Sequence, residues 1–270
     1  MPTQDWSAVS ASIATTEATG ATVGVAVISP AGERFQHNGA RRFAAASTVK
    51  IAIMIELFRR IDAGTLDLAQ RHSLTEADRA GGSGVLAHLG AGIAPSIGDL
   101  AYLMMSISDN TATNLLIDRV GIPAVNATMR SLGMAESVLG RPMRGRLALP
   151  GEQENWALPG EYAEMIAAIL SNRAASAAAC AQMLGLLEKQ QNDRRIARYL
   201  PRQDRPRWGS KTGSNTGVVN DVGYIFTKAG PLVVAVFVEN PTDPLAGEQI
   251  IGEIARSAIA DLHLDGLGPK

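Results

Sequence analysis

Strand-like segments lie at the two ends of the 270-residue sequence, and helix-like segments fill the stretch between them. The strand-like runs cover residues 23–29 and 34–37 near the start, and 218–227 and 232–239 near the end. Strands separated in this way most simply meet in one antiparallel sheet, with the intervening helices inserted beside it. We therefore predict an α+β chain. In it, residues 1–55 and 205–270 form a sheet-containing lobe, and residues 56–204 form an inserted helical lobe.

The helix-like segments are bounded by recognisable start and stop residues. Residues 48–63 are apolar over most of their length and stop at Gly64, which suits the left-handed end of a helix. Pro159 opens an alanine-rich helical region that runs to about residue 190, with a break near Asn172. Further helices are predicted over 6–18, 97–106, 111–120, 124–132 and 249–262. A cleft between the two lobes is the default place for a binding site.

Charge and hydropathy argue against several classes of partner. The formal net charge is −1, so no global field attracts nucleic acid or an anionic membrane. The longest apolar runs, 51–55 and 231–238, are too short to span a bilayer. A group of arginines interrupted by aspartates is interpreted as a solvated loop. These are Arg194, Arg195, Arg198, Arg202, Arg205 and Arg207. We expect a small-molecule substrate, no nucleic acid, no membrane association and a monomer.

The sequence gives no reason to expect a metal, a cofactor or a disulfide. Cys180 is the single cysteine, and its alanine-rich surroundings indicate a small buried residue. The four histidines show no metal-ligand spacing. The N-terminus lacks a basic start followed by an apolar run, so no signal peptide is visible. We expect a cytoplasmic protein as the sequence stands, or a periplasmic or secreted one if a leader has been removed.

The first candidate chemical motif is Ser47-Thr48-Val49-Lys50, at the start of the apolar helix. A serine hydroxyl is a weak nucleophile until a base takes its proton, and a lysine three positions later lies on the same helix face. Burial would lower the pKa of Lys50 and make its neutral amine accessible. Backbone N–H groups at the helix start could stabilise an oxyanion beside Ser47. The alternative is that Ser47 only caps the helix.

The second motif is Ser108-Asp109-Asn110, at the junction of two predicted helices. A turn of this kind can project side chains into a cleft. Ser108 could relay a proton to a leaving group, and Asn110 could hydrogen-bond both a substrate carbonyl and the lysine. The alternative is an ordinary turn in which Asp109 and Ser108 cap the next helix.

The third motif is Lys211-Thr212-Gly213, followed by Ser214, on a predicted strand. Lysine and threonine at a sheet edge suit a substrate carboxylate, and glycine allows close approach to the backbone. The backbone N–H of Ser214 could complete a two-donor oxyanion hole with that of Ser47. The alternative is a hairpin glycine beside an exposed lysine.

Together, the three motifs resemble those of class A β-lactamases and the related serine hydrolases with a penicillin-binding-protein-like fold. The similarity covers nearly the whole chain and is carried by residues 44–50, 105–116 and 208–213. It implies an antiparallel five-stranded sheet flanked by helices, next to an all-helical lobe. It also implies an acyl-enzyme mechanism.

The resemblance implies a role for each candidate residue. Ser47 would be the nucleophile, and Lys50 and Ser108 would shuttle protons. The backbones of Ser47 and Ser214 would form the oxyanion hole. The residues implied to bind substrate are Asn110, Lys211, Thr212 and Ser214.

The loop before Pro159 departs from the family pattern. Family members carry Glu-x-x-x-Asn there, and the glutamate activates the water that hydrolyses the acyl-enzyme. Asn155 is the natural counterpart of that asparagine, but Gly151 stands four residues before it. Glu152 is one place out of register, and Glu154 is adjacent to Asn155. We expect a surface or loop-closing role for both, and the alternative is that one of them substitutes as the base. We therefore expect slow deacylation, because losing a positioned general base costs a factor of roughly 10² to 10⁴.

Three functions remain open from the sequence. The first is a serine hydrolase acting on a β-lactam, amide or ester, with slow release of β-lactam products. The second is an efficient β-lactamase that degrades antibiotics. The third is a non-hydrolytic penicillin-binding or acyl-transfer protein that keeps the nucleophile.

Overall fold

The computed structural model describes residues 4–90 and 92–264, and its centre is one antiparallel sheet. Five strands pair in the order β2-β1-β7-β6-β5, so the two ends of the chain meet in adjacent strands. A separate two-stranded ribbon pairs β3 with β4. The strands are β1 (Thr22–Ile28), β2 (Arg34–His37), β3 (Phe43–Ala44), β4 (Trp156–Ala157), β5 (Trp208–Asn215), β6 (Val218–Thr227) and β7 (Gly230–Glu239). The predicted α+β class and five-stranded sheet are confirmed.

Most of the helices lie between β2 and β5, as the sequence pattern predicts. A 3-10 turn, Ala46–Val49, leads directly into the long apolar helix. Gly64 follows that helix with φ +69°, which is the left-handed conformation expected of a glycine cap. The α-helices are α1 (Ser7–Glu17), α2 (Lys50–Asp62), α3 (Ile97–Ser106), α4 (Asn110–Val120), α5 (Ile122–Ser131), α6 (Pro159–Leu170), α7 (Ala177–Leu187) and α8 (Pro244–Asp261).

Both faces of the sheet are covered, because the central strand β7 buries alternate side chains on opposite faces. Val234 and Val236 join a core formed with α1 and α8. Ala235 and Phe237 join the larger core formed with the helical lobe. The ring of Tyr162 in α6 packs edge-on against Phe237 with centroids 5.5 Å apart. This two-sided burial explains why the strand reads as a continuous apolar run instead of an alternating one.

Helix α6 links the two predicted lobes. It belongs to the 56–204 segment by sequence, yet it packs on the sheet at β1 and β7. A Cβ at Gly24 of β1 would lie 2.7 Å from the ring of Pro159, so β1 and α6 approach closely. The division into a 1–55 plus 205–270 lobe and a 56–204 lobe stays a prediction.

The closing helix begins earlier than its predicted start at residue 249. Asp243 caps α8 by accepting hydrogen bonds from the backbone N–H groups of Leu245 and Ala246, and Pro244 occupies the first turn. Both residues are standard helix-start signals, so the local sequence contained the boundary. Among the described residues, no helix has both the length and the apolar character needed to cross a bilayer.

Candidate functional site

Ser47 lies in the 3-10 turn that precedes α2, and it is 8% exposed. The turn is fixed from both sides. The backbone N–H of Ala45 donates to Asn155 O at 2.7 Å, and Asn220 Nδ2 donates to Ala44 O at 2.8 Å. No side chain caps this turn or α2, and the Ser47 hydroxyl makes no hydrogen bond to another described residue. The capping interpretation of Ser47 is therefore wrong, and its hydroxyl is available to a ligand.

Strand β5 runs directly beside this turn. A Cβ on Gly213 would lie 3.0 Å from Ala45 O and 3.1 Å from the backbone nitrogen of Ser47. A larger residue at 213 would push the strand away from the Ser47 backbone. Gly213 therefore permits close contact between the third motif and the first.

Lys50 is fully buried one turn after Ser47, and its amine is held by the second motif. Its Nζ donates to Ser108 O at 2.6 Å, to Ser108 Oγ at 3.1 Å and to Asn110 Oδ1 at 2.8 Å. These three bonds use all three protons of an ammonium group, and none goes to Ser47. Ser47 therefore makes no direct hydrogen bond to Lys50. Ser108, which contacts Lys50, lines the same cleft as Ser47.

Burial dominates the titration of Lys50. Loss of hydration lowers its pKa well below the usual lysine range, and the neighbouring charge of Lys211 lowers it further. The carboxylate of Asp109 opposes these effects only in part. These effects favour the neutral amine, and in that form Lys50 can accept a proton.

The Ser108-Asp109-Asn110 turn divides its side chains between structure and site. Asp109 caps α4 by accepting from Ala112 N at 2.9 Å, so the predicted capping role holds for Asp109. Ser108 instead has φ +61°, a conformation that is uncommon outside glycine, and faces Lys50. Asn110 bridges Lys50 and the carbonyl of Gly81, to which its Nδ2 donates at 2.9 Å.

Lys211 is buried on the edge strand β5, and its Nζ donates to the carbonyl of Thr212 at 2.9 Å. Burial lowers the pKa of Lys211 to about 7, and nearby Arg195 acts in the same direction. The buried carboxylate of Asp221 opposes this shift. The interpretation of the third motif as a hairpin with an exposed lysine is therefore wrong.

One cleft of about 690 Å³ brings the three motifs together. It is lined by residues from each, including Ser47, Ser108, Thr212 and Ser214. Lys50 and Lys211 lie buried behind this lining, and Asn110 lines a smaller cavity that also reaches Ser47. The convergence places the Ser47 hydroxyl, further hydroxyls and two desolvated amines close to one space.

Arg195 is a site residue that the sequence analysis missed. It is 4% exposed and donates from Nη1 to the carbonyls of Gly213 and Asn220, and from Nη2 to Ser214 Oγ at 2.6 Å. Its partner carboxylate is Glu248. The prediction of a solvated arginine loop is therefore wrong for Arg195. The apolar pair Ile196–Ala197 beside it was the available signal, because both residues enter the core.

The side of Ser47 that faces the long loop is nearly closed. A cavity of about 70 Å³ lies there, lined by Ser47, Met143, Glu154 and Asn155. Asn155 Oδ1 accepts from the backbone N–H groups of Gly140 and Arg141, and its Nδ2 faces Met143 Sδ at 3.9 Å. The expected anchor position of Asn155 thus agrees with its contacts, since it closes the loop onto itself.

Neither loop glutamate has a free acceptor aimed at Ser47. Glu154 accepts from Arg141 on both oxygens, at 3.0 and 3.1 Å, and from the backbone N–H groups of Ala148 and Asn155. Glu152 pairs with Arg144 and Arg146, and these contacts lower its pKa to about 2. The low pKa makes Glu152 a weak base, and both oxygens of Glu154 are engaged by these four contacts within the loop.

Gly151 does not line the cavity beside Ser47. It lies in a neighbouring pocket of about 630 Å³, together with Leu149, Trp156 and Glu239. Its φ of +87° favours glycine, and a Cβ there would meet no atom within 4 Å. A side chain at position 151 would therefore have to strain the loop backbone and would start outside the Ser47 cavity.

Within residues 4–90 and 92–264, no group of three or more His, Cys, Asp or Glu side chains is placed to hold a metal ion. The cleft offers serine and threonine hydroxyls, buried amines behind its lining and backbone dipoles. This set is sufficient for acyl transfer to a serine.

Comparison with known proteins identifies the family. The model described as the Beta-lactamase enzyme family matches residues 6–262. A β-lactamase structure from Sphaerobacter thermophilus is 58% identical, with a TM-score of 0.95, and covers 97% of this chain and 99% of its own. Beta-lactamase BRO-1 of Moraxella catarrhalis is 28% identical over 229 residues, which are 83% of this chain and 72% of that protein.

A class A relative shares the fold at lower identity. A variant of the class A β-lactamase of the last common ancestor of Gram-negative bacteria is 28% identical, with a TM-score of 0.86. It covers 95% of this chain and 98% of that one. This protein belongs to the β-lactamase enzyme family and is a class A β-lactamase-like serine hydrolase. The predicted resemblance and enzyme class are confirmed.

Proposed function

We propose that the Ser47 hydroxyl attacks the carbonyl of a β-lactam, amide or ester and forms an acyl-enzyme that is released slowly when the substrate is a β-lactam. The Ser47 Oγ–carbon bond forms as the bond from that carbon to the leaving nitrogen or oxygen breaks. The hydroxyl proton passes to Lys50 and then, through Ser108, to the leaving atom. The burial of Lys50 and its 3.1 Å contact with Ser108 Oγ support this route.

The substrate roles follow from where the remaining groups lie. The backbone N–H groups of Ser47 and Ser214 stabilise the oxyanion, and Asn110 orients the substrate through the amide that already contacts Lys50. Lys211 and Thr212, with Ser214, hold a substrate carboxylate. Support comes from the cleft that Thr212 and Ser214 both line, from the burial of Lys211 behind it and from the neighbouring cation Arg195.

We infer slow deacylation from one observation: side chains of the long loop already fill most of the space on that side of Ser47. Hydrolysis of the acyl-enzyme needs a water beside the acyl carbon and a base that accepts its proton. The loop side offers the thioether of Met143 and an amide of Asn155 that already binds two backbone N–H groups. The one carboxylate that lines this cavity, Glu154, receives four hydrogen bonds, so its oxygens are engaged by the loop and are not directed at a water beside Ser47.

The test is a time course of intact mass after a brief exposure to benzylpenicillin, followed by removal of free antibiotic. We expect rapid addition of one acyl group to Ser47 and loss of that mass over minutes or longer. Fast steady-state turnover of nitrocefin with no accumulated adduct would contradict slow deacylation. A permanent adduct would instead favour the non-hydrolytic acyl trap.

Efficient antibiotic hydrolysis is the second candidate, and the relatives carry its support. The structure that is 58% identical is named a β-lactamase, as is the curated protein from Moraxella catarrhalis. Under this alternative, Lys50 would act as the base in deacylation as well as in acylation. The same time course separates the two candidates, because efficient hydrolysis leaves no accumulated acyl-enzyme.

A further inference from the structure

Gln190 reaches the substrate cleft from a turn that none of the three motifs includes. It follows α7, and its side chain donates from Nε2 to Thr212 Oγ1 at 3.1 Å. Both residues line the cleft and are half-buried. This is the one hydrogen bond that the Thr212 hydroxyl makes to another part of the described chain. The contact therefore restricts the orientations open to that hydroxyl.

The direction of this hydrogen bond follows from the other end of the Gln190 amide. The backbone N–H of Asn192 donates to Gln190 Oε1 at 3.0 Å. A backbone N–H can only donate, so the amide oxygen must face Asn192 and the NH₂ group must face Thr212. The Thr212 oxygen is consequently an acceptor toward Gln190, and its own proton must point elsewhere.

The turn that carries Gln190 is held firmly. Its backbone N–H donates to Leu187 O at 3.3 Å, at the end of α7. Asn192 Nδ2 donates to the buried carboxylate of Glu248 at 3.1 Å. The Gln190 amide is thus fixed before any ligand enters, which lowers the entropy lost on binding.

Ser214 provides an independent parallel on the same strand. Arg195 has donors only, and its Nη2 contacts Ser214 Oγ at 2.6 Å. The Ser214 hydroxyl is therefore also an acceptor toward the protein. Two cleft hydroxyls that accept from the protein side are left with their protons for the ligand side.

We propose that Gln190 is a positioning residue that orients the Thr212 hydroxyl to donate its proton to a substrate carboxylate. The inference rests on the proposed function, in which Thr212 binds that carboxylate. A hydroxyl free to rotate would spend part of its time as an acceptor, with a lone pair directed at the anion. By occupying one lone pair of the Thr212 oxygen, Gln190 disfavours that orientation, and the wall favours an anionic acceptor.

The test compares benzylpenicillin with its methyl ester in the variant Gln190→Glu. The carboxylate introduced has nearly the same shape but cannot donate, so Thr212 would donate to it and turn its proton away from the substrate. We expect the second-order rate constant for acylation of Ser47 by benzylpenicillin to fall by about tenfold to a hundredfold, the range for a hydrogen bond to a charged group. The rate with the methyl ester should change by less than about threefold.

The added charge is controlled by the neighbouring residue. Gln191 also lines the cleft, and its side chain makes no hydrogen bond to Thr212, so Gln191→Glu introduces the same charge without reversing the hydroxyl. In a Thr212→Val background, Gln190→Glu should have no larger effect than Gln191→Glu. Gln190→Met, which removes the donor without adding charge, should produce a smaller loss of the same kind, also confined to benzylpenicillin.

The outcomes separate this inference from the proposed function. The role of Gln190 would be overturned if Gln190→Glu lowered the acylation rate constant equally for benzylpenicillin and its ester. It would also be overturned if Gln190→Glu and Gln191→Glu lowered that constant equally. Either result would leave the Ser47 chemistry intact. Absence of a Ser47 adduct from the wild-type protein with both compounds would overturn the proposed function first. Thermal unfolding of each variant checks that the turn after α7 still folds.

Discussion

The two sides of Ser47 differ in what burial does to their charged groups. The motif side consists of Lys50, Ser108, Asn110, Lys211 and Thr212. The loop side consists of Arg141, Met143, Glu154 and Asn155. On the motif side, two amines are buried without a carboxylate in hydrogen-bond contact, and desolvation lowers the pKa of each.

On the loop side, the carboxylate of Glu154 is matched by a buried arginine and two backbone N–H groups. Both of its oxygens are engaged in these contacts. Burial of a polar side chain near Ser47 therefore does not by itself make that side chain catalytic. A buried amine without an anionic partner is ready to exchange a proton, whereas a fully paired carboxylate is a structural clamp.

The largest expected effect tests whether the motif side acts through Ser47 at all. Ser47→Ala should abolish the covalent adduct, because no other nucleophile occupies its place in the turn. The free energy of unfolding should change little, since the hydroxyl makes no hydrogen bond to another described residue. Intact mass spectrometry and thermal unfolding measure the two results. An adduct of wild-type yield in this variant would remove Ser47 from its role.

The next effect concerns the buried amine. Lys50→Met keeps the length and apolar stem of the side chain but removes the proton acceptor. We expect the acylation rate constant to fall by about 10²- to 10⁴-fold, the usual contribution of a general base. Lys228→Met, at an exposed lysine in the turn between β6 and β7, is the matched control. Similar rates in both variants would mean that another group takes the Ser47 proton.

The loop side should respond to a carboxylate only where it faces the Ser47 cavity. Met143→Glu places one opposite Asn155, and we expect deacylation to accelerate by at least about tenfold relative to Met143→Gln. Gly151→Glu should give no gain, because residue 151 lies in the adjacent pocket and has positive φ. The decay of the acyl-enzyme mass measures both. A gain from Gly151→Glu alone would show that the loop rearranges.

The smallest effect is the pH dependence of carboxylate binding. The pKa of Lys211 is about 7, so the lysine is charged below that pH and neutral above it. The rate constant for acylation by benzylpenicillin should therefore decline as pH rises through about 7 in the free enzyme, by at most about tenfold per unit. The methyl ester should lack this decline. Identical profiles for the two compounds would show that Lys211 does not pair with the substrate carboxylate.

Much of the fold could be predicted because it depends on local patterns. The strand 34–37 and the strand 218–227 have the same bounds in the structure as in the sequence prediction, and α3 does too. The start of α8 was placed too late because the exposed first turn is not apolar, although Asp243-Pro244 marks it. Periodicity detects the buried face of an element and is silent where an end is exposed.

From the sequence, only the site residues within the three motifs could be predicted. Ser47, Ser108 and Thr212 do line one cleft. Gln190 and Arg195 belong to the same cleft but lie outside the three motifs. Gln190 follows a helix end and has no local signature, and the only signal for Arg195 is the apolar pair 196–197 beside it. Their contacts with Thr212 and Ser214 cross about twenty residues and arise when the turn after α7 packs on β5.

The sequence by itself determined which residue types could carry acyl transfer and in what order they occur. It also determined the helices and most strands, because side-chain periodicity acts over a few residues. Only the tertiary structure decided which charges are desolvated. Lys50 and Lys211 lose water because distant elements close over them, while Glu154 finds Arg141 across the loop. A pKa depends on everything within a few ångströms in space, and neighbours along the chain specify only part of that environment.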